Sequence, residues 1–148
     1  MKYFIYYSNS GNGDVIASKL KEKGYEIVKV ETIKPLGKMG FFKIIKYGGD
    51  AIFNKCAKIK PISLGFKESD EVVVGSPIWN DRLSTPINAV LKEFSFNKET
   101  TRFILYPAGE TTNKSKDQIA KLGFKKEAVV IPHPKKSEKS LDEVLNSF

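Results

Sequence analysis

Between an apolar run, Tyr3-Phe4-Ile5-Tyr6, and a helical pattern beginning at Val15 lies the stretch Tyr7-Ser8-Asn9-Ser10-Gly11-Asn12-Gly13-Asp14. Short hydroxyl and amide side chains and two glycines gather there, where a strand passes into the start of a helix. Backbone N–H groups converge at such a junction and the helix adds the positive end of its dipole, so the chemistry on offer is the holding of a phosphate. The same residue types also build an ordinary strand-to-helix turn with its N-cap, and that reading stays open on this stretch alone. A second stretch, Gly75-Ser76-Pro77-Ile78-Trp79-Asn80, carries the only tryptophan, and a third, Pro107 to Asn113, is a polar loop. No grouping of acid, base and nucleophile is evident. His133, the only histidine, lies between two prolines with no cysteine or carboxylate cluster beside it, so it reads as a loop residue rather than a metal ligand.

The elements that must position these stretches follow from periodicity. Lys2 to Tyr7 reads as a central strand covered on both faces, and a helix from about Gly13 to Lys23 closes at Gly24. Tyr25 to Glu31 alternates as a second strand, which completes a right-handed βαβ unit. Apolar residues at Phe41, Phe42, Ile45, Ile52, Phe53 and Cys56 predict an amphipathic helix from about Phe41 to Lys58, interrupted by Gly48-Gly49 and stopped by Pro61. The third strand is read from Glu71 to Gly75, followed by a loop over 76–84 and a helix from about Thr85 to Phe94. Arg102 to Tyr106 is the fourth strand, Lys114 to Leu122 a helix closed by Gly123, and Ala128 to Pro132 the fifth strand. Lys139 to Phe148 is a terminal helix with a cap near Ser137 or Ser140. Five strands alternating with helices predict an open, doubly wound α/β sheet, whose ligands bind beyond the carboxyl ends of the strands where strand order reverses. The three stretches above fall at that end.

Length and composition set the frame. The 148 residues suit one domain, 1–148, and a chain that is 41% hydrophobic and 28% charged is ordinary for a globular protein. The single cysteine, Cys56, excludes an intramolecular disulfide; it is read as a core residue, in a chain expected to be cytoplasmic. No signal-peptide pattern and no apolar run long enough to span a bilayer is present, so no transmembrane segment is expected. The net charge of +8 is uneven: from Lys34 to Lys67 eight lysines face Asp50 alone, a local +7. Such a segment can attract acidic proteins, anionic surfaces or phosphorylated ligands, or stand as a solvated lysine-rich surface. Lys135-Lys136 is read as solvated surface. Charge by itself does not specify nucleic-acid binding, which is not expected here.

With these elements in place, the chain resembles a flavodoxin over essentially its whole length. Tyr7-Ser8-Asn9-Ser10-Gly11-Asn12-Gly13 is similar to the family's phosphate loop after the first strand. Gly75-Ser76-Pro77-Ile78-Trp79 followed by Pro86-Ile87 is similar to its loop after the third, and is the more specific of the two motifs. The resemblance implies a three-layer α/β sandwich, a five-stranded parallel sheet of order 2-1-3-4-5 with helices on both faces, and one non-covalent FMN. It assigns the phosphate to Ser8, Asn9, Ser10, Gly11, Asn12 and Gly13. Trp79 would stack on the isoalloxazine, the 76–80 segment (Ser76, Pro77, Ile78, Asn80) would frame it, and Ala108, Gly109 and Glu110 would line its opposite edge.

Three departures from the family pattern bear on function. Gly13 stands where a threonine is common, the loop after the fourth strand lacks a covering aromatic residue, and the chain is basic where electron-carrier flavodoxins tend to be acidic. Tyr106, inside the predicted strand, is not taken to replace the missing aromatic. The resemblance implies an electron-transfer protein, and the basic segment would favour acidic redox partner proteins. An FMN-dependent reductase passing hydride from NAD(P)H to a quinone is the alternative, motivated by the uncovered ring face. A binding module of the same fold with little or no flavin is the second alternative, motivated by Gly13 and the basic segment.

Overall fold

The computed structural model describes residues 1–37, 41–136 and 138–148; of residues 41, 44 and 138–140 the backbone alone, or less, is described. Near-continuous apolar runs become buried parallel strands because both of their faces are covered. These are β1 (Lys2–Tyr6), β3 (Glu71–Trp79) and β5 (Arg102–Tyr106), in which Phe4, Ile5, Val73, Val74, Phe103, Ile104 and Leu105 are fully buried. The shorter strands β2 (Glu26–Lys29) and β6 (Val129–Val130) form the edges. The order is β2-β1-β3-β5-β6, all parallel, with Ile5 beside Val74 and Val74 beside Phe103.

A sixth strand, β4 (Arg82–Leu83), pairs antiparallel with the end of β3. It corrects the expected five-stranded count without altering the parallel order 2-1-3-4-5. The loop expected over 76–84 is therefore a strand extension and a hairpin. Asn80 (φ 49°) and Asp81 (φ 59°) form its two-residue turn, both in the left-handed region that a turn matching strand twist requires and that Asn and Asp tolerate.

Helices α1 (Asn12–Glu22) and α5 (Glu138–Leu145) cover one face of the sheet, where Ile16, Leu20, Leu141 and Leu145 pack on Phe4, Val73 and Ile104. On the other face α3 (Thr85–Glu93) and α4 (Asn113–Lys121) bring Ile87, Val90 and Ile119 against Ile5, Val74 and Phe103. Because α1 follows β1 on one face and α3 follows β3 on the other, the connections diverge between β1 and β3 and leave a crevice at the carboxyl ends.

The helix expected from Phe41 to Lys58 is shorter: α2 spans Phe41–Ile52. It ends in a Schellman arrangement in which Asn54 (φ 51°) takes the left-handed position, the Asn54 N–H donates to Ala51 O (2.9 Å) and the Lys55 N–H to Asp50 O (3.0 Å). Pro61 is thus not the stop. Cys56 lies outside the helix and is exposed, contrary to the expected core role. Beyond α2 no further helix forms over 53–70; one bridge joins Thr32 and Ile59, and Ile59, Ile62, Leu64 and Phe66 pack on the core of the α3 face.

The cap proposed at Ser137 lies outside the described residues, as does the side chain of Ser140. A 3-10 turn, Pro134–Lys136, precedes α5 and was not foreseen. Among the described residues no helix is long and apolar enough to cross a membrane.

Candidate functional site

The phosphate-type loop leaves β1 at Tyr7 and enters α1 at Asn12, with Gly11 (φ 85°) as the residue before the first turn. Two of its main-chain donors, the N–H groups of Gly11 and Gly13, point at one atom, Ser8 Oγ, each at 3.1 Å. Two amide hydrogens aimed at a single oxygen form a small anion-receiving concavity, here taken up by the loop's own hydroxyl. Gly13 has a physical reason to be glycine. A β-carbon there would stand 2.7 Å from a ring carbon of Tyr6 and 2.9 Å from the Tyr106 hydroxyl. The departure from threonine thus follows from two tyrosines packed beneath the loop. Tyr106, fully buried, donates its hydroxyl to the Tyr7 carbonyl, and burial holds its pKa far above the ordinary tyrosine value.

Charge around the loop is balanced. The Tyr6 hydroxyl (2.7 Å) and Lys29 Nζ (2.6 Å) both donate to Asp14 Oδ1. Burial pushes the Asp14 carboxyl up, but the hydrogen bonds from Lys29 and Tyr6 outweigh it and leave the pKa below its ordinary 3.8. The negative charge nearest the loop is therefore paired.

Lys135 is the residue that sequence reasoning missed. Its Nζ donates to the Ser10 carbonyl at 2.6 Å, and its side chain lies 3.1 Å from where a Gly11 β-carbon would be. The 3-10 turn thus sets a cation on the loop; Lys135 is exposed, as its reading as solvated surface had it, and makes this contact besides. No local pattern signals a contact made across 125 residues of sequence.

Beside the loop lies a cleft of about 260 Å³ at the carboxyl ends of β1, β3 and β5. Asn9, Ser10 and Asn12 line one side; Pro77, Ile78, Trp79 and Asn80 line another; Ala108 and Glu110 close the third. All three stretches singled out in the sequence meet there. Ser8, Gly11 and Gly13 of the same loop do not line the cleft, and neither does Gly109. Ser76 is fully buried, with its hydroxyl 3.2 Å from that of Ser84, so its work is to tie β3 to the start of α3.

Two further residues line the cleft. Tyr106 forms part of its floor, and Gly48 of α2 lies so close to Asn80 that a β-carbon would collide with the Asn80 amide. Trp79 stands between two tyrosines, edge-on to Tyr7 (centroids 5.9 Å apart, 89°) and tilted to Tyr47 (6.0 Å, 40°). Burial, then the neighbouring Tyr47, pushes the Tyr7 hydroxyl up to about 12, so it stays neutral. The third wall is pinned to the hairpin. Asp81 accepts hydrogen bonds from the Thr111 hydroxyl (2.6 Å) and the Lys114 N–H (3.1 Å), and Glu110 accepts one from the Ala108 N–H (2.7 Å).

The cleft fits a planar aromatic ligand carrying a phosphate: an indole and apolar groups for the ring and the Asn9 and Asn12 amides for the anion, with the Gly11 and Gly13 N–H groups and the Lys135 ammonium in or on the same loop outside the lining. The volume is just under the ~300 Å³ at which ligand pockets begin, so a molecule of that kind would be enclosed in part.

No protein-family model and no curated protein matches the sequence. Solved structures do. A flavoprotein from Lactobacillus acidophilus in complex with FMN superposes with a TM-score of 0.70 at 18% identity, covering 95% of this chain and 97% of that one. Putative flavoproteins from Bacteroides eggerthii (TM-score 0.72, 18% identity, 97% of each chain) and Bacteroides uniformis (0.73, 11%, 98% of this chain and 97% of that one) superpose equally well. At these identities the likeness is one of architecture, and the architecture of this chain is flavodoxin-like.

Proposed function

We propose that this protein is an FMN-binding electron-transfer protein, with the flavin ring against Trp79 and its phosphate at the Ser8 to Gly13 loop. The observation that carries the reading is the meeting of Trp79 and the Asn9, Ser10 and Asn12 loop residues in one cleft, with two N–H groups of the same loop aimed at a single oxygen. The likeness to a structure that holds FMN supports it. When bound, FMN supplies one- and two-electron redox chemistry, and the protein's part is to bind, orient and shield it.

In this reading the Ser8 hydroxyl turns aside, and the Gly11 and Gly13 N–H groups pass from it to a phosphate oxygen. Lys135 adds the cationic charge that offsets the phosphate, and the Lys29–Asp14 pair keeps the nearby carboxylate from opposing it. Trp79, held edge-on by Tyr7, presents a fixed aromatic face. Asn80 and the Ala108 to Glu110 segment border the ring. The Lys34 to Lys67 segment, in which Lys55 and Lys60 pair with Asp50 and Glu31 while the other lysines add positive charge, would favour an acidic redox partner.

One observation favours a second reading, an NAD(P)H:quinone-type reductase: the 107–113 segment contributes no aromatic side chain to the cleft, which leaves the ring face away from Trp79 open to a second planar molecule. The test is redox titration of the FMN-loaded protein together with assays of NADH and NADPH oxidation by quinones. Two separated one-electron steps and negligible turnover support the carrier. A single two-electron step with quinone-dependent NAD(P)H oxidation overturns it in favour of the reductase. A protein that takes up no FMN removes both and leaves a flavin-free module of this fold.

A further inference from the structure

A second cavity, of about 590 Å³, lies between α3 and α4 on the far side of the β3–β4 hairpin. Its size is within the roughly 300–1,000 Å³ typical of small-molecule sites. The Asn88 and Gln118 amides line it and are fixed by their own bonds. The Gln118 amide donates to Asn88 Oδ1 (2.9 Å), Gln118 Oε1 accepts the Leu83 N–H (3.2 Å), and the Asn88 amide donates to Lys55 O (3.1 Å). Leu91 and Leu122 give it an apolar wall, and Leu122 is 43% exposed.

Four cations stand around this groove: Arg82, Lys92, Lys114 and Lys121. Among the described residues none of these four charged groups has an ion-pair or hydrogen-bond partner, although lysines elsewhere find one, as Lys29, Lys55 and Lys60 do. Asp117 is the single acid in the lining, which leaves a net +3. Like charges gathered around a concavity with protein walls repel one another and focus a positive field into it. Arg82 and Lys114 also line a depression that reaches Asn80, and Asn80 borders the Trp79 cleft, so the two concavities are neighbours across the hairpin.

We propose that this groove binds an organic polyphosphate of the nucleotide class. Its phosphates would lie on Arg82 and Lys114 with Lys92 and Lys121 at the other side, and its organic part against Leu91 and Leu122. A net +3 calls for an anion of several charges, which a lone carboxylate does not supply. The volume and the leucine wall call for more than an inorganic ion. The inference does not depend on flavin being bound in the other cleft.

Cys56 provides the readout, because it is the only cysteine in the chain, is exposed, and lines this groove. Alkylation by iodoacetamide, an uncharged reagent, is followed by mass spectrometry on the full chain, with and without FMN. ATP at about 1 mM is expected to slow alkylation about fivefold or more, in both preparations, as a bound nucleotide covers the thiol. Pyrophosphate is expected to protect only weakly. The double variant Arg82→Gln/Lys114→Gln should alkylate at the wild-type rate without ATP and lose most of the protection. The exposed helix positions provide a second variant that leaves the hairpin intact. Lys92→Gln/Lys121→Gln is expected to raise the half-protecting ATP concentration about tenfold. No protection by ATP at about 10 mM, or protection undiminished in both variants, overturns the proposal. Equal protection by pyrophosphate overturns its organic part.

Discussion

The two concavities that flank the β3–β4 hairpin are built on opposite plans. The Trp79 cleft is small, walled by an indole, apolar groups, neutral amides and the Glu110 carboxylate; beside it Asp14 is paired with Lys29, and Lys135 donates to a carbonyl. The α3–α4 groove is more than twice as large, and its cations have no partners among the described residues. Neutral donors in a close cup select one anion by geometry, because each N–H has a fixed direction; unpaired cations around a groove attract a polyanion by charge, and the groove's volume and leucine wall set which one it accepts. The difference teaches that the cleft is the preorganised site and the groove the electrostatic one.

Substitutions can break this contrast, and the largest effect is expected at the loop. Gly13→Val forces a side chain against Tyr6 and the Tyr106 hydroxyl, at a cost of about 1–3 kcal/mol. It should lower the melting temperature by several degrees and abolish FMN retention; an unchanged melting curve would show that the loop is not held against the tyrosines. Trp79→Ala comes next. The loss of one aromatic platform, worth about 1–3 kcal/mol, should weaken FMN tenfold to a hundredfold by equilibrium dialysis and leave ATP protection of Cys56 as it was. Equal damage to both sites would erase the contrast.

Lys135→Gln is expected to be milder. Removal of an exposed charge worth about 0.5–1 kcal/mol should weaken FMN two- to fivefold while riboflavin, which has no phosphate, is unaffected. Parallel loss for both ligands would mean that Lys135 only braces the loop.

The smallest effect concerns acid. With its folded pKa below 3.8, Asp14 contributes stability that is complete above its unfolded value and disappears as pH falls through the lower, folded one. The melting temperature of Asp14→Asn should therefore lie below wild type at pH 6, and the gap should close in the acid range under 3.8. A gap that persists there would point to packing rather than charge.

The parts of the fold that were legible are those in which one signal decides. The first strand, loop and α1 were placed within a residue or two because an unbroken apolar run gives way to three-to-four spacing and Gly24 closes the helix with φ 84°. α2 was drawn too long because apolar spacing continues through Phe53 and Cys56, whereas Asn54 had already turned the chain. Its residue type is a stop signal, and periodicity outweighed it. β3 was drawn too short because the β-branched run ends at Val74 and the 76–80 stretch, with Pro77 in it, reads as loop. Pro77 pairs instead with Tyr106, the last residue of β5, where a missing N–H costs little.

In the cleft, Asn9, Ser10, Asn12, Trp79 and Glu110 lie in stretches marked by residue type and position at the carboxyl ends of strands, and the resemblance assigned them to the ligand. Gly48 of the cleft and Lys135 on the neighbouring loop were not assigned, since each arrives through packing between elements far apart in sequence, and Tyr106 was set aside because it lies inside a strand.

Trp79 is the only tryptophan, so its fluorescence reports the central claim without labels. Titration of the metal-free, flavin-free protein with FMN should quench that emission steadily to a break at one FMN per chain, with inorganic phosphate giving no quenching. Emission that stays constant while FMN binds, or FMN that does not bind, would contradict the assignment of the flavin to this cleft.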